Sequence, residues 1–155
     1  MAFRRAGPRL VSLAPRQLKM SKTILIADDY DDNRELLRLL LTTASYVVWE
    51  ARNGQECIAS AREKLPDLIM VDLSMPELDG WEVFKTLKGD ETTSHIPCVA
   101  VTAHTEADCE RALQVGFIAF VPKPFKTEEM LATVARVIDL RSQISDPRSQ
   151  IPNLR

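Results

Sequence analysis

The sequence predicts an α/β domain: a doubly wound, five-stranded parallel sheet flanked by five helices. Three observations lead there. Apolar runs of strand length alternate with stretches of helical period through residues 21–141. Several runs, Leu68-Ile69-Met70-Val71 most clearly, are apolar at almost every position, which suits strands covered on both faces. Each run is followed by a segment of helix length, so five βα units with right-handed crossovers account for the whole stretch.

Strands are expected at Thr23–Ala27, Tyr46–Ala51, Leu68–Val71, Cys98–Thr102 and Ala119–Val121. Helices are expected over 32–43, 54–64, 80–89, 107–115 and 127–141. In the second, Cys57, Ile58, Ala61 and Leu65 recur along one face, and in the fifth Met130, Val134, Val137 and Ile138 do the same. Asp31 and Asp32, with Asn33 beside them, are expected to cap the first helix. Trp81 is expected to anchor the third helix in the core, and Trp49 to serve the second strand. Residues 1–20 read as a basic flexible extension and 142–155 as a flexible polar tail, which leaves 21–141 as one domain.

Composition narrows the classes. The chain has 155 residues, 45% apolar and 27% charged, ordinary values for a globular domain with a core of its own. No apolar run approaches the roughly eighteen residues of a membrane span. Cys57, Cys98 and Cys109 lie far apart with no CxxC pair, and the first two fall at apolar positions. Buried thiols in a reducing, cytoplasmic setting follow, rather than a disulfide or metal framework. The net charge of −2 conceals an asymmetry: Arg4, Arg5, Arg9, Arg16 and Lys19 give the first nineteen residues +5, so the remainder carries −7. A fold this acidic offers no nucleic-acid patch.

In open α/β sheets ligands sit at the carboxyl ends of the strands, so those ends are where chemistry is expected. The first strand ends in Asp28 and Asp29, the third in Asp72, the fourth in Thr102-Ala103 and the fifth in Lys123-Pro124. If the three carboxylates lie about 5 Å apart, each pair repels by about 3 kcal/mol at an effective dielectric near 20. Such a cluster calls for cations. Lys123 supplies one charge, and a divalent metal with oxygen ligands, Mg²⁺ above all, would supply more. A carboxylate that closes an apolar strand beside a metal and a lysine is placed to act as a nucleophile toward phosphorus. Mg²⁺, the Lys123 ammonium and the Thr102 hydroxyl could each take one phosphoryl oxygen, and Ala103 leaves room for the incoming group.

Taken together, ILIADD, VDLSMPELDG, VAVTA and FVPKPF resemble the receiver domain of two-component response regulators, over about residues 22–141. The resemblance implies a flavodoxin-like sheet of strand order 2-1-3-4-5 and a stand-alone, chemotaxis-receiver-like domain. It implies Asp72 as the phosphoacceptor. Asp29 would be the main metal ligand, with Asp28 binding largely through water and Asp72 and the Ser74 carbonyl completing the Mg²⁺ set. Thr102 and Lys123 would contact the phosphoryl group, and Thr102 with Phe120 would form the switch pair. In the family the aromatic is often tyrosine; a phenylalanine has no hydroxyl, so its inward and outward positions must differ by packing. The Lys123–Pro124 bond is implied to be cis. Ser74 and His104 would flank the site and tune dephosphorylation, while His95 has no role.

The partners implied are a sensor histidine kinase or histidine phosphotransfer domain and a downstream protein target, met through the face of helix four, strand five and helix five. The domain would catalyse only its own phosphorylation and dephosphorylation. The alternative is a phosphorylation-independent, receiver-like interaction module, which the intact Asp28, Asp29, Asp72, Thr102 and Lys123 argue against. An aspartate-nucleophile phosphatase needs an acid where Ser74 stands, and neither GxGxxG nor GxxxxGK[ST] occurs to bind a nucleotide.

Overall fold

A computed structural model describes residues 21–103 and 105–145. The readings placed on 1–20, His104 and 146–155 lie outside those residues. The elements run β1 (Thr23–Ala27), α1 (Asp31–Thr43), β2 (Val47–Ala51), α2 (Gly54–Lys64), β3 (Leu68–Asp72), α3 (Gly80–Lys88), β4 (Cys98–Thr102), α4 (Glu106–Val115), β5 (Ala119–Pro122) and α5 (Thr127–Ser145). All strand pairs are parallel, in the order β2-β1-β3-β4-β5. The expected architecture and strand order are both present.

The apolar strands do what their composition demands. Side chains alternate across the pleat, and the two faces carry separate cores. Leu25, Ala27, Ile69, Val71, Cys98 and Ala100 pack with residues of α2, α3 and α4. Ile24, Ile26, Leu68, Met70, Val99 and Val101 pack with Leu37 and Leu41 of α1 and with Met130, Val134, Val137 and Ile138 of α5. All three cysteines are free and buried; burial pushes the Cys98 thiol up to about 12. Trp81 is half-buried, edge-on to Phe117 at 6.0 Å, with the Arg111 guanidinium 4.1 Å over its ring. No helix among the described residues is long and apolar enough to cross a membrane.

Local chemistry sets the boundaries. Asn53, Asp79 and Thr105 accept backbone N–H bonds from Glu56, Glu82 and Asp108, capping α2, α3 and α4. Leu65 ends α2 in the left-handed region at φ 48°, and Gly116 follows α4 at φ 122°. Two expectations need correction. Asp31 and Asp32 do not cap α1: Tyr30 holds the cap position without a side-chain bond, and both acids occupy the first turn, where the helix dipole favours them. The fifth helix continues past 141 to Ser145, because the first residue that opposes a helix there is Pro147, which disfavours it at the residue before.

Two contacts brace the ends of α3. At its start Gly80 abuts the end of β3, so closely that a Cβ would lie 2.5 Å from the Asp72 carbonyl oxygen and 2.7 Å from Leu73 Cα. Beyond its end, the Asp90 carboxylate accepts bonds from the Thr92 N–H at 2.9 Å, the Thr92 hydroxyl at 2.8 Å and Arg62 Nε of α2 at 2.7 Å. The Thr92 bonds, with Arg62, hold this acid down at about 2.

Two outcomes are expected. Gly80→Ala forces backbone apart and should cost about 1–3 kcal/mol in urea denaturation. Because the folded-state pKa of Asp90 is depressed, its contribution is present above the ordinary 3.8 and is lost as pH falls toward about 2. Asp90→Asn should therefore lower the urea midpoint near neutral pH and make the loss of stability below pH 3.8 shallower than in the parent.

Candidate phosphoryl-transfer site

The rim of the sheet is built where three strands end: Asp28 directly follows β1, Asp72 closes β3 and Lys123 directly follows β5. After β1, the Asp28 N–H still donates to the Ala51 carbonyl of β2 at 3.2 Å, so the residue stays in sheet register while its carboxylate is buried. Its Oδ1 accepts the Tyr30 N–H at 2.8 Å, and that bond turns the chain from β1 into α1. Asp29, next along, stands at the more open edge of the rim. Asp72 closes β3 opposite Val101 and is also buried. Its Oδ1 accepts the Ser74 N–H at 3.0 Å and its Oδ2 faces Lys123 Nζ at 3.1 Å.

Lys123 arrives from the far side. Its backbone N–H donates to the Thr102 carbonyl at 2.9 Å, which fixes the end of β5 to the end of β4. The Lys123–Pro124 peptide is cis, as expected. The ammonium then sits between two carboxylates, 3.2 Å from Asp28 Oδ2 and 3.1 Å from Asp72 Oδ2. Burial alone would lower its pKa; the charges of Asp72 and Asp28 outweigh that and raise it. It is fully an ammonium.

One carboxylate oxygen from each of Asp28, Asp29 and Asp72 lies within 4.8 Å of the others. By formal charge, three carboxylates against one ammonium leave the cluster an excess of two negative charges. An all-oxygen donor set with that excess fits a hard divalent cation, which keeps much of its water and shares its remaining positions. Asp28 Oδ2 adds to the fit: it is buried without a hydrogen bond, although the ammonium is nearby.

The structure thus gathers Asp28, Asp29, Asp72 and Lys123 into one site, with Ser74 bonded to the Asp72 carboxylate. Thr102 is buried at the end of the adjacent strand, and Ala103 is exposed beside it. Ala103 and Lys123 line a shallow depression with Asn33, Leu36, Pro124 and Phe125. Phe120 sits opposite Ala100 and packs, half-buried, against the core on the α2–α4 side. By the pleat Thr102 lies on that same face, two residues after Ala100.

Sequence reading missed Arg34. Its side chain is buried on α1, and Nη1 donates to the Asp28 carbonyl at 2.7 Å. The signal was available. Arg34 shares one stripe with Leu37 and Leu41, at the spacing of a buried helix face, directly after an acidic run.

Comparison with known proteins agrees with this geometry. Residues 24–135 match the response regulator receiver domain family. The polar-differentiation response regulator DivK of Brucella anthropi is 40% identical over 116 residues, covering 74% of this chain and 94% of DivK. A putative response regulator from Chloroflexus aurantiacus superposes with a TM-score of 0.74 at 28% identity, covering 77% of this chain and 99% of that one. The receiver domain of the sensor histidine kinase PA1611 from Pseudomonas aeruginosa has a TM-score of 0.71 at 28% identity over 77% of this chain and 99% of its own. That structure has a magnesium ion coordinated in its active-site cleft. The fold, the acidic rim with its lysine, and the match along most of the sequence converge: the chain belongs to the response regulator receiver domain family of two-component signalling.

Proposed function

We propose that the chain accepts a phosphoryl group on Asp72 from a phosphohistidine of a sensor histidine kinase or phosphotransfer domain, and signals to a protein target by the change this causes. The observation that carries the reading is the Asp72 carboxylate itself. It closes a strand, is buried, and shares a single ammonium with Asp28 at 3.1 and 3.2 Å.

Transfer forms an O–P bond at Asp72 as the N–P bond of the donor breaks, with the electron pair returning to the imidazole nitrogen. In such transfer charge spreads over the phosphoryl oxygens, and catalysis is mostly positioning and electrostatic stabilisation. The Ser74 N–H holds Asp72 Oδ1, which leaves Oδ2, on the Lys123 side, to attack. Lys123 then exchanges a carboxylate for a phosphoryl oxygen, and the Thr102 hydroxyl takes another. Asp28, Asp29, Asp72 and the Ser74 carbonyl would hold Mg²⁺, which supplies charge neutralisation at the transferring oxygens. Water attack on phosphorus releases phosphate and restores the carboxylate, so the domain resets without turning over a separate substrate.

The acyl phosphate adds up to about two negative charges to a site already in excess of them. Thr102 moving to the new oxygens vacates space on the α2–α4 face, and Phe120, on that same face, fills it. The equilibrium shifts on the surface of α4, β5 and α5, where the target binds.

Incubation with acetyl phosphate and Mg²⁺ should add one phosphoryl group by mass spectrometry, and Asp72→Asn should abolish it. A modification that survives this substitution would transfer the assignment to another residue. Lys123→Ala should leave a slowly phosphorylated protein whose NMR shifts around Phe120 no longer respond to beryllofluoride.

A further inference from the structure

Resting on the reading above, we propose that Arg34 is a positioning residue: it fixes the peptide joining Asp28 to Asp29, and so sets the two carboxylates that receive the divalent cation. A guanidinium is never neutral in a protein, and burying one is costly unless its donors are met. Arg34 is nine-tenths buried, with its side chain 9% exposed. Its partners come from three elements. Nη1 donates to the Asp28 carbonyl at 2.7 Å and Nη2 to the Asp31 carboxylate in the first turn of α1, while Nε makes no hydrogen bond and has only an ionic contact, 3.4 Å from Glu50 Oε1 on β2. Glu50 is in turn 3.4 Å from Arg38.

The carbonyl that Arg34 grips belongs to the same planar peptide unit as the Asp29 nitrogen. Fixing that plane places the two Cα atoms from which both aspartate side chains depart. Tyr30 N–H and Lys123 hold the Asp28 carboxylate from the open side, and Arg34 holds its main chain from behind. Its three nitrogens contact neither the Asp29 nor the Asp72 carboxylate, so it acts through the backbone.

Two effects of opposite sign meet here. A positive charge behind the site repels a second cation, so its removal by charge alone would tighten metal binding. Loss of the fixed peptide would weaken it. Arg34 is itself neutralised by Asp31 and Glu50, which leaves little charge to reach the ion, and the geometric effect is the larger. The direction of the change therefore reports the role.

The test is a MgCl₂ titration of the full chain followed by NMR amide shifts, with urea denaturation in parallel. Arg34→Met should bind Mg²⁺ about tenfold more weakly than wild type, the scale on which residues supporting metal ligands act. Arg34→Lys should be weakened about threefold, since one ammonium cannot span both the carbonyl and Asp31. Glu50→Gln keeps the bond to the Asp28 carbonyl and should lower the urea midpoint while leaving affinity within about twofold. Unchanged affinity in Arg34→Met with reduced stability would make the residue a packing element only and overturn the proposal; tighter binding would overturn it in favour of charge. If Arg34→Met does not fold, Arg34→Lys decides by the same signs. Wild type that neither binds Mg²⁺ nor phosphorylates Asp72 would sink the functional reading, whereas wild type that does both, with Arg34→Met indistinguishable from it, would sink this inference alone.

Discussion

Like charges held within a few ångströms of one another are the constraint on which this molecule turns. Asp28, Asp29 and Asp72 would separate if left to electrostatics, each pair repelling on the scale of about 3 kcal/mol at these distances. They stay together because backbone bonds leave them no freedom. Asp28 remains tied to β2 through Ala51, Asp72 to its own loop through Ser74, and the end of β5 to β4 through the Lys123 N–H. The parallel sheet is thus a clamp: its hydrogen bonds hold groups at a spacing their charges oppose. Lys123 relieves part of the strain, and the remaining excess suits the rim to a hard cation.

Much of this was legible in the sequence because it depends on periodicity and on strand ends. A strand buried on both faces must be apolar throughout, and Leu68–Val71 announces itself by that alone. Where such a run stops at an aspartate, the acid is delivered to the edge of the sheet whatever the crossovers do. That Asp28 and Asp72 would meet followed from the parallel topology, and the resemblance to receiver domains supplied the strand order that puts β1 beside β3.

What was not legible depended on tertiary partners. An acid after a strand looks like a helix cap, yet Asp31 is drawn to Arg34, and the cap position falls to Tyr30. Arg34 could be read only as an oddity on an apolar stripe, since its partners Asp28 and Glu50 come from other elements. Leu65 in the left-handed conformation is invisible to patterning, because a leucine at that spacing reads as one more core position; it is 49% exposed. The last turn of α5 is polar and carries no apolar stripe to announce a helix, yet no glycine or proline stops it before Pro147.

The two-sided core gives β5 an uneven part to play. Ala119 and Val121 face the layer of α1 and α5, while Phe120 between them packs against the layer of α2, α3 and α4. A change in the Phe120 ring therefore displaces volume on one side of the sheet only. Interiors this densely packed transmit strain, so a shift of that ring would press first on the layer of α2, α3 and α4 and reach α5 through Ala119 and Val121 of the same strand.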